Sequence, residues 1–252
     1  MLKHRIIPTL LLKDGRMVKS IQFGQYRDVG NPVTAARVYD AQRADELIFL
    51  DISASTEKRG VLFDIIREVS DECFMPLGVG GGVTSIEDMR VLLKNGADKV
   101  IINTAAFENP QLITEAANMF GSSTVLVSID VKKNTRGTEE VFVYGGSVST
   151  GIEPIEWSRR VESLGAGEIF LTSIDHDGMM GGYNIELIRS VADAVSIPVI
   201  ASGGVGKLDD FIEGIIEGHA SAVSAASMFH FTDQSPIKVR KFLHDRGIHV
   251  RV

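Results

Sequence analysis

Short apolar segments alternate with segments of helical length along the whole 252-residue chain, and this alternation most strongly restricts its fold. The apolar segments are rich in Val, Ile, Leu and Phe, as expected for parallel strands that are buried on both faces. They lie at 5–12, 46–51, 75–80, 99–103, 124–131, 168–174, 198–202 and 220–225. Helices are predicted between and after them, at about 33–43, 58–72, 84–94, 109–119, 153–163, 184–194, 207–217 and 236–245.

Eight strand–helix units predict a closed (β/α)8 barrel of the α/β class, a fold that needs about 250 residues. The alternative is an open, doubly wound sheet, which would have fewer units and one dominant glycine loop near its N-terminus. No linker, low-complexity stretch or second domain is evident, so residues 1–252 are expected to form a single domain. The longest irregular segment, 132–151, is predicted to form a small hairpin above the barrel, with a strand at 141–144.

The second half of the chain repeats features of the first. Two Gly-Gly pairs lie 122 positions apart, and Leu11 corresponds to Asp130, which lies 119 positions further on. Repetition of this kind indicates two similar units. We therefore expect half-barrels of about 1–121 and 122–252, related by a pseudo-twofold axis.

Each predicted half carries a glycine turn after one strand and a helix start after the next strand. The positions are Gly81, Gly82, Asn103 and Thr104 in the first half (the first cradle) and Gly203, Gly204, Ala226 and Ser227 in the second half (the second cradle). Glycine lets backbone N–H groups approach an anion closely, and barrel chemistry lies at the C-terminal ends of the strands. The duplication predicts a small-molecule ligand with a phosphate at each end. Alternatively, these glycines only make tight turns.

Composition excludes several classes of partner. The net charge is −7, from 33 acidic and 26 basic residues, whereas nucleic-acid-binding proteins usually have a basic excess. Cys73 is the only cysteine, so no internal disulfide can form, which suits a reducing cytosol. No apolar run approaches the roughly 18 residues of a membrane-spanning helix. We expect a cytoplasmic protein that binds neither nucleic acid nor membrane, and nothing in the sequence predicts a metal or cofactor.

Stretches distributed over the whole chain resemble a known family. The most specific are 79–82 (VGGG), 102–106 (INTAA), 171–178 (LTSIDHDG), 201–204 (ASGG) and 249–251 (HVR). They resemble the barrels of histidine biosynthesis, most closely the cyclase subunit of imidazole glycerol phosphate synthase, which is a lyase. The resemblance implies a heterodimer in which a separate glutaminase subunit docks on the N-terminal face and sends ammonia through the barrel to the cyclase site.

The resemblance also implies a pair of catalytic aspartates at the tops of the first and fifth strands. Asp130 matches the fifth-strand position, but the first-strand position holds Leu11, which cannot transfer a proton. We therefore expect weak cyclase turnover, although Asp14 or Asp51 can be considered as a substitute. The other implied pocket positions, each of which is alternatively an ordinary surface residue, are Lys19, Asp51, Asn103, Thr172, Asp177 and Ser202.

In the family, charged residues close the bottom of the barrel and gate the ammonia. The matching positions, here called the charged ring, are Arg5, Glu46, Lys99 and Glu168. Residues that lie an even number of positions apart on a strand point to the same face. Three of the four lie an even number of positions before a residue of the predicted pocket on the same strand. Glu46 and Asp51 lie an odd number of positions apart, so Glu46 would need a bulge or a rim position. Alternatively, these are four ordinary charged strand starts. Asp98 would contact the glutaminase.

Three functions are compatible with these features. In the first, a specialised paralogue receives ammonia and passes it to another acceptor or to a third enzyme, such as a sugar amidotransferase in amidino-sugar synthesis for bacterial lipopolysaccharide. In the second, the protein makes imidazole glycerol phosphate with an altered base. In the third, a catalytically silent barrel only binds and activates the glutaminase. Leu11 favours the first and third functions and the intact cradles favour the first and second, so we predict the first.

Overall fold

Eight parallel strands close into a barrel in the computed structural model, which describes residues 3–54 and 63–251. The barrel strands are β1 (Arg5–Lys13), β4 (Leu47–Asp51), β5 (Leu77–Gly80), β6 (Lys99–Ile102), β7 (Val125–Lys133), β10 (Glu168–Ser173), β11 (Val199–Ser202) and β12 (Ala222–Ala225). Each pairs with its neighbours in parallel, and the circle closes where β12 pairs with β1 and β7 pairs with β10. This confirms the predicted (β/α)8 barrel and excludes the open sheet, which would leave two edges unpaired.

Both faces of the barrel strands are buried, which explains why they read as continuous apolar runs. Side chains that point inward form a small cluster at the centre of the barrel: Ile7, Ile48, Ile101, Leu126, Phe170, Ile200 and Ala222. Side chains that point outward belong to the larger core beneath the helices. Successive residues of a strand face opposite sides, so alternate residues point into the barrel. Along the strands, the inner cluster lies between the polar residues at the two ends of the barrel.

The helices of the described residues surround the barrel. They are α1 (Pro32–Ala41), α2 (Phe63–Glu72), α3 (Ile86–Lys94), α4 (Thr104–Glu108), α5 (Gln111–Phe120), α6 (Pro154–Ser163), α7 (Ile185–Ala192), α8 (Leu208–Ile212, followed by a π-helical turn at Glu213–Glu217), α9 (Ser227–Phe231) and α10 (Pro236–His244), with a 3-10 turn at Ser122–Thr124. The predicted helices are confirmed, except that part of the second, 58–62, lies outside the described residues. The short helices α4 and α9 were not predicted.

Local signals determine where several helices begin. The Asn31 side chain accepts a hydrogen bond from the Thr34 backbone N–H, and Pro32 occupies the first turn of α1. Ser85 and Asp88 form a reciprocal capping box at the start of α3. None of the helices in the described ranges has the length and hydrophobicity needed to traverse a lipid bilayer.

Two hairpins extend the barrel at its C-terminal end. The predicted hairpin at 132–151 is confirmed, since β7 continues antiparallel into β8 (Glu139–Val143) and then β9 (Val148–Ser149). The other hairpin was not predicted: β2 (Arg16–Lys19) folds back on the end of β1, and β3 (Arg27–Gly30) pairs with β2. Its turn is Asp14-Gly15, both at positive φ, and an Asp-Gly pair is a known signal for tight hairpin turns.

Candidate functional site

The C-terminal ends of the barrel strands surround a cavity of about 630 Å³. Its wall contains Leu11 and every pocket position proposed from the sequence: Lys19, Asp51, Gly81, Gly82, Asn103, Thr104, Asp130, Thr172, Asp177, Ser202, Gly203, Gly204, Ala226 and Ser227. Residues from both halves of the chain therefore line one cavity. Sequence reasoning missed other wall residues, including Phe23, Tyr26 and the pair Thr9 and Ser224, whose hydroxyl oxygens lie 2.5 Å apart.

Asp130 is held near the end of β7 by two polar neighbours. The Asn103 Nδ2 donates to Asp130 Oδ2 over 2.7 Å, and the Ser128 hydroxyl donates to Oδ1 over 3.4 Å. Burial removes water from the carboxylate and raises the pKa of Asp130 to about 7, despite the opposing effect of both hydrogen bonds. A carboxyl group with a pKa near neutrality can both donate and accept a proton at neutral pH, as general acid–base catalysis requires.

Asp130→Asn is expected to stabilise the protein more at pH 8 than at pH 5. The pKa of Asp130 is raised from 3.8 to about 7 on folding, so the native state holds the proton more tightly than the unfolded chain. The stability contributed by this carboxyl group is present in full below the unfolded pKa and is lost as the pH rises through about 7. The pKa difference limits the gain from the substitution to about 4 kcal/mol. Urea unfolding of both proteins at the two pH values is the measurement, and an equal effect at both would contradict the prediction.

Leu11 faces the cavity from the opposite side of the strand circle. β1 is the first barrel strand and β7 the fifth, so Leu11 and Asp130 occupy related positions across the barrel. Leu11 is aligned with Leu50 on the neighbouring strand, and both line the cavity. These two wall positions are therefore apolar, whereas Asp130 on the opposite side is acidic.

The two carboxylates considered as substitutes for the missing aspartate differ in position. Asp14 is exposed in the turn between β1 and β2 and is not in the cavity wall, so it is not a substitute. Asp51 does line the cavity, and its Oδ1 accepts hydrogen bonds from the backbone N–H groups of Ser53 and Ala54, each at 3.2 Å. These bonds hold Asp51 against its own loop.

The two cradles lie on opposite sides of the cavity. The first follows β5 and β6, the third and fourth barrel strands, and the second follows β11 and β12, the seventh and eighth. Gly81 has a φ of 103°, and a Cβ there would lie 2.2 Å from the Asp51 carbonyl oxygen. Gly204 has a φ of 117°, and a Cβ there would lie 2.1 Å from the Gly182 carbonyl oxygen. Only glycine fits such positions, and both turns leave backbone exposed to the cavity.

Lys19 and Asp177 form a bridge across the C-terminal end of the barrel. Lys19 is buried rather than a surface residue, and its Nζ lies 2.8 and 2.7 Å from the two carboxylate oxygens of Asp177. The loop after Lys19 continues across the cavity, where the Gln22 N–H donates to the Asp177 carbonyl over 2.8 Å. Phe23 and Tyr26 of the same loop reach the cavity wall. Sequence reasoning missed them because it did not predict this hairpin.

The charged ring is closed at the N-terminal end of the barrel. Arg5 Nη1 lies 2.6 Å from Glu46 Oε2, and Lys99 Nζ lies 2.9 Å from the same oxygen. Lys99 Nζ also lies 2.6 Å from Glu168 Oε2, and Arg5 Nη2 contacts Glu168 Oε1. Positive and negative groups therefore alternate around the ring, so each buried or half-buried charge has two partners of opposite sign.

Glu46 needs neither a bulge nor a rim position, so that expectation was wrong. It stands two residues before Ile48, which belongs to the inner cluster, and Leu50 packs against the same cluster. Strand alternation thus points the Glu46 side chain into the barrel, as it does those of Ile48 and Leu50. Asp51 lies one residue beyond Leu50, so its odd separation from Glu46 does not require an irregularity at Glu46. Asp98 is exposed at the same end of the barrel, beside Lys99, and its Oδ2 accepts from the Leu77 N–H over 2.8 Å.

Comparisons with known proteins agree with the resemblance seen in the sequence. The family described as "Histidine biosynthesis protein" matches residues 5–235. The chain is 49% identical over 251 residues to imidazole glycerol phosphate synthase subunit HisF of Alkaliphilus metalliredigens (strain QYMF). That alignment covers 100% of this chain and 100% of the relative. The alignment therefore spans both ends of the barrel.

Proposed function

The chain belongs to the histidine biosynthesis protein family, and we propose that it is a specialised cyclase-type subunit of a glutamine amidotransferase pair. The observation that carries this proposal is Leu11, an alkyl side chain across the cavity from Asp130 in an otherwise complete site. The subunit receives ammonia from a glutaminase and passes it to an acceptor other than the histidine-pathway nucleotide, or to a third enzyme. We favour a sugar amidotransferase of lipopolysaccharide synthesis in the cytoplasm as that enzyme.

Each part of the barrel has a role in this proposal. Ammonia enters through the charged ring at the N-terminal end and reaches the cavity at the other end. The two cradles bind the terminal phosphates of the ligand through backbone N–H groups. Asp130, oriented by Asn103, exchanges a proton with the ligand between them. The loop that crosses the cavity after Lys19 keeps bulk water away from the reacting atoms.

The second candidate is a histidine-pathway cyclase with an altered base. The 49% identity to subunit HisF over the full length of both chains favours this candidate. Leu11 opposes it, because ring closure and elimination need two positioned proton-transfer groups. A barrel that only activates the glutaminase is disfavoured, because it would not need a cavity of about 630 Å³ lined by two cradles.

Two bound anions are the expected result when crystals are soaked in a high concentration of phosphate. One anion should occupy each cradle, because both present glycine turns at positive φ to the cavity. Ser227→Ala is expected to weaken only the second site and Thr104→Ala only the first, so each variant is the control for the other. Crystals with neither cradle occupied would contradict the two-cradle arrangement.

A stable complex is expected when the chain is co-expressed with its glutaminase subunit, and glutaminase activity should rise on binding. Size-exclusion chromatography at micromolar concentration is the measurement. Asp98→Asn removes an exposed charge but leaves an oxygen to accept from the Leu77 N–H, so we expect roughly tenfold weaker binding, about 1.4 kcal/mol. The control is Asp28→Asn on β3, at the opposite end of the barrel. Two separate peaks for the unmodified pair would contradict the partnership.

A further inference from the structure

Two hydroxyl groups, here called the hydroxyl pair, meet at the floor of the cavity. Thr9 on β1 and Ser224 on β12 both line the cavity, and their hydroxyl oxygens lie 2.5 Å apart. Each stands two residues after a member of the inner cluster, Ile7 or Ala222, so both side chains point into the barrel. The Tyr183 hydroxyl donates to the Ser224 carbonyl oxygen over 2.7 Å and holds the main chain there.

The hydroxyl pair has one hydrogen-bond donor that the protein does not use. Thr9 is 4% exposed and Ser224 is 1% exposed. Each hydroxyl group brings one proton, and the bond between the two oxygens uses only one of these protons. Neither hydroxyl has another partner among the described residues. A buried donor without an acceptor is unfavourable, so the remaining O–H group is suited to an acceptor on a molecule in the cavity.

The cavity wall above the hydroxyl pair is apolar at two positions. Leu11 lies two residues beyond Thr9 and points to the same face of β1, and Leu50 is aligned with Leu11 on the neighbouring strand. Alkyl and hydroxyl groups do not exchange protons readily near neutral pH, in contrast to the carboxyl group of Asp130. These residues are therefore suited to holding a carbon chain and one of its hydroxyl groups, and not to acid–base catalysis.

The second cradle lies just beyond the hydroxyl pair along the same strand. Ala226 follows Ser224 by two residues, which corresponds to about 7 Å at roughly 3.3 Å per residue. Gly203 and Gly204, on the neighbouring strand–helix turn, complete this cradle and line the same cavity. A phosphate in the second cradle and a group bound to the hydroxyl pair would thus be separated by a chain of a few carbon atoms.

We propose that the hydroxyl pair determines specificity, by binding a hydroxyl group of a sugar or polyol phosphate whose phosphate occupies the second cradle. This ligand class deepens the proposed function and rests on it, whereas the unused donor rests on the contacts of Thr9 and Ser224. A ligand hydroxyl can accept from that donor and donate to the other oxygen of the pair. An alkyl chain of equal length can do neither and would leave the donor buried without an acceptor, so the site should discriminate against it.

Isothermal titration calorimetry of the whole chain with three probes tests this proposal. The probes are xylitol 5-phosphate, n-pentyl phosphate, which has the same chain length without hydroxyl groups, and inorganic phosphate. Thr9→Val keeps the shape of the side chain and should weaken xylitol 5-phosphate binding by roughly tenfold, the value of one buried hydrogen bond. It should leave the affinities for the other two probes within about twofold. Ser224→Ala should give the same selective loss and serves if Thr9→Val does not fold.

The matched control is Thr114→Val on α5, outside the barrel. Its hydroxyl donates to the Leu164 carbonyl oxygen over 2.9 Å, so the same chemical change is made far from the cavity, and all three affinities should be unchanged. The proposal is overturned if the wild type does not bind xylitol 5-phosphate, if neither variant of the hydroxyl pair weakens its binding, or if all three probes weaken equally, as a purely structural role would require.

Failure of this proposal can be distinguished from failure of the proposed function. The calorimetry uses neither a glutaminase nor ammonia, so a negative result leaves the pairing with a glutaminase standing. Conversely, failure to form a glutaminase complex would remove the proposed function without changing the selectivity measured for the three probes.

Discussion

Leu11→Asp is expected to raise ammonia-dependent cyclase turnover by at least about tenfold, toward the 10²–10⁴-fold that a general acid or base typically contributes. Wild-type turnover of the family's ribulosyl aminoimidazole-carboxamide nucleotide should be very low. Leu11 lines the cavity across from Asp130, so an aspartate there would place a second carboxyl group on the other side of a bound ligand. Leu50 is its neighbour, and this apolar surrounding should raise the pKa of the new carboxyl group toward neutrality.

Steady-state consumption of the nucleotide at saturating ammonium is the measurement for both proteins. Leu11→Asn is the matched control, since it has nearly the same shape as Leu11→Asp but no titrating group, and it should remain inactive. Adding Asp130→Asn to Leu11→Asp should abolish the gain. Binding should change little, because the cradles hold the ends of the ligand whereas the carboxyl groups act at its middle. Wild-type turnover of around 1 s⁻¹ or more would show that another residue supplies the base and that the specialised function is wrong.

Glu46→Ala is expected to reduce the free energy of unfolding by roughly 3–5 kcal/mol, the cost of removing one partner from a buried ion pair. Glu46 is the most buried member of the charged ring and contacts both Arg5 and Lys99. Without it, these two cations share Glu168 alone, and each is left incompletely compensated. Urea unfolding at neutral pH gives the free energy directly.

An exposed ion pair of the same chain provides the control for that measurement. Arg16 Nε lies 2.9 Å from Asp28 Oδ2, a distance similar to those in the charged ring, but both side chains are more than half exposed. Asp28→Ala should therefore reduce the free energy of unfolding far less than Glu46→Ala does, because exposed ion pairs are screened by water and contribute little. If Glu46→Ala costs no more than Asp28→Ala, the charged ring does not stabilise the N-terminal end of the barrel.

The barrel itself could be predicted because its strands are buried on both faces. Segments such as 5–12 and 198–202 are predominantly apolar, and such runs between amphipathic helices have few alternatives to a parallel sheet. The glycine turns could be found because they are repeated in the two halves. The hairpin of β2 and β3 was missed because its strands have only four residues each, although Asp14-Gly15 was an available signal.

The sequence by itself determined the order of strands and helices, the repeated glycine turns and the absence of a carboxylate at Leu11. Only the tertiary structure decided which distant side chains meet. Lys19 forms an ion pair with Asp177, which lies 158 residues further along the chain. A local sequence pattern carries no information over such a separation. The raised pKa of Asp130 and the ion pairs of Glu46 likewise depend on tertiary contacts, and these exist only after the strands close into a circle. Periodicity is a property of neighbouring residues, whereas desolvation and hydrogen bonding at a site are properties of residues that the closed barrel brings together.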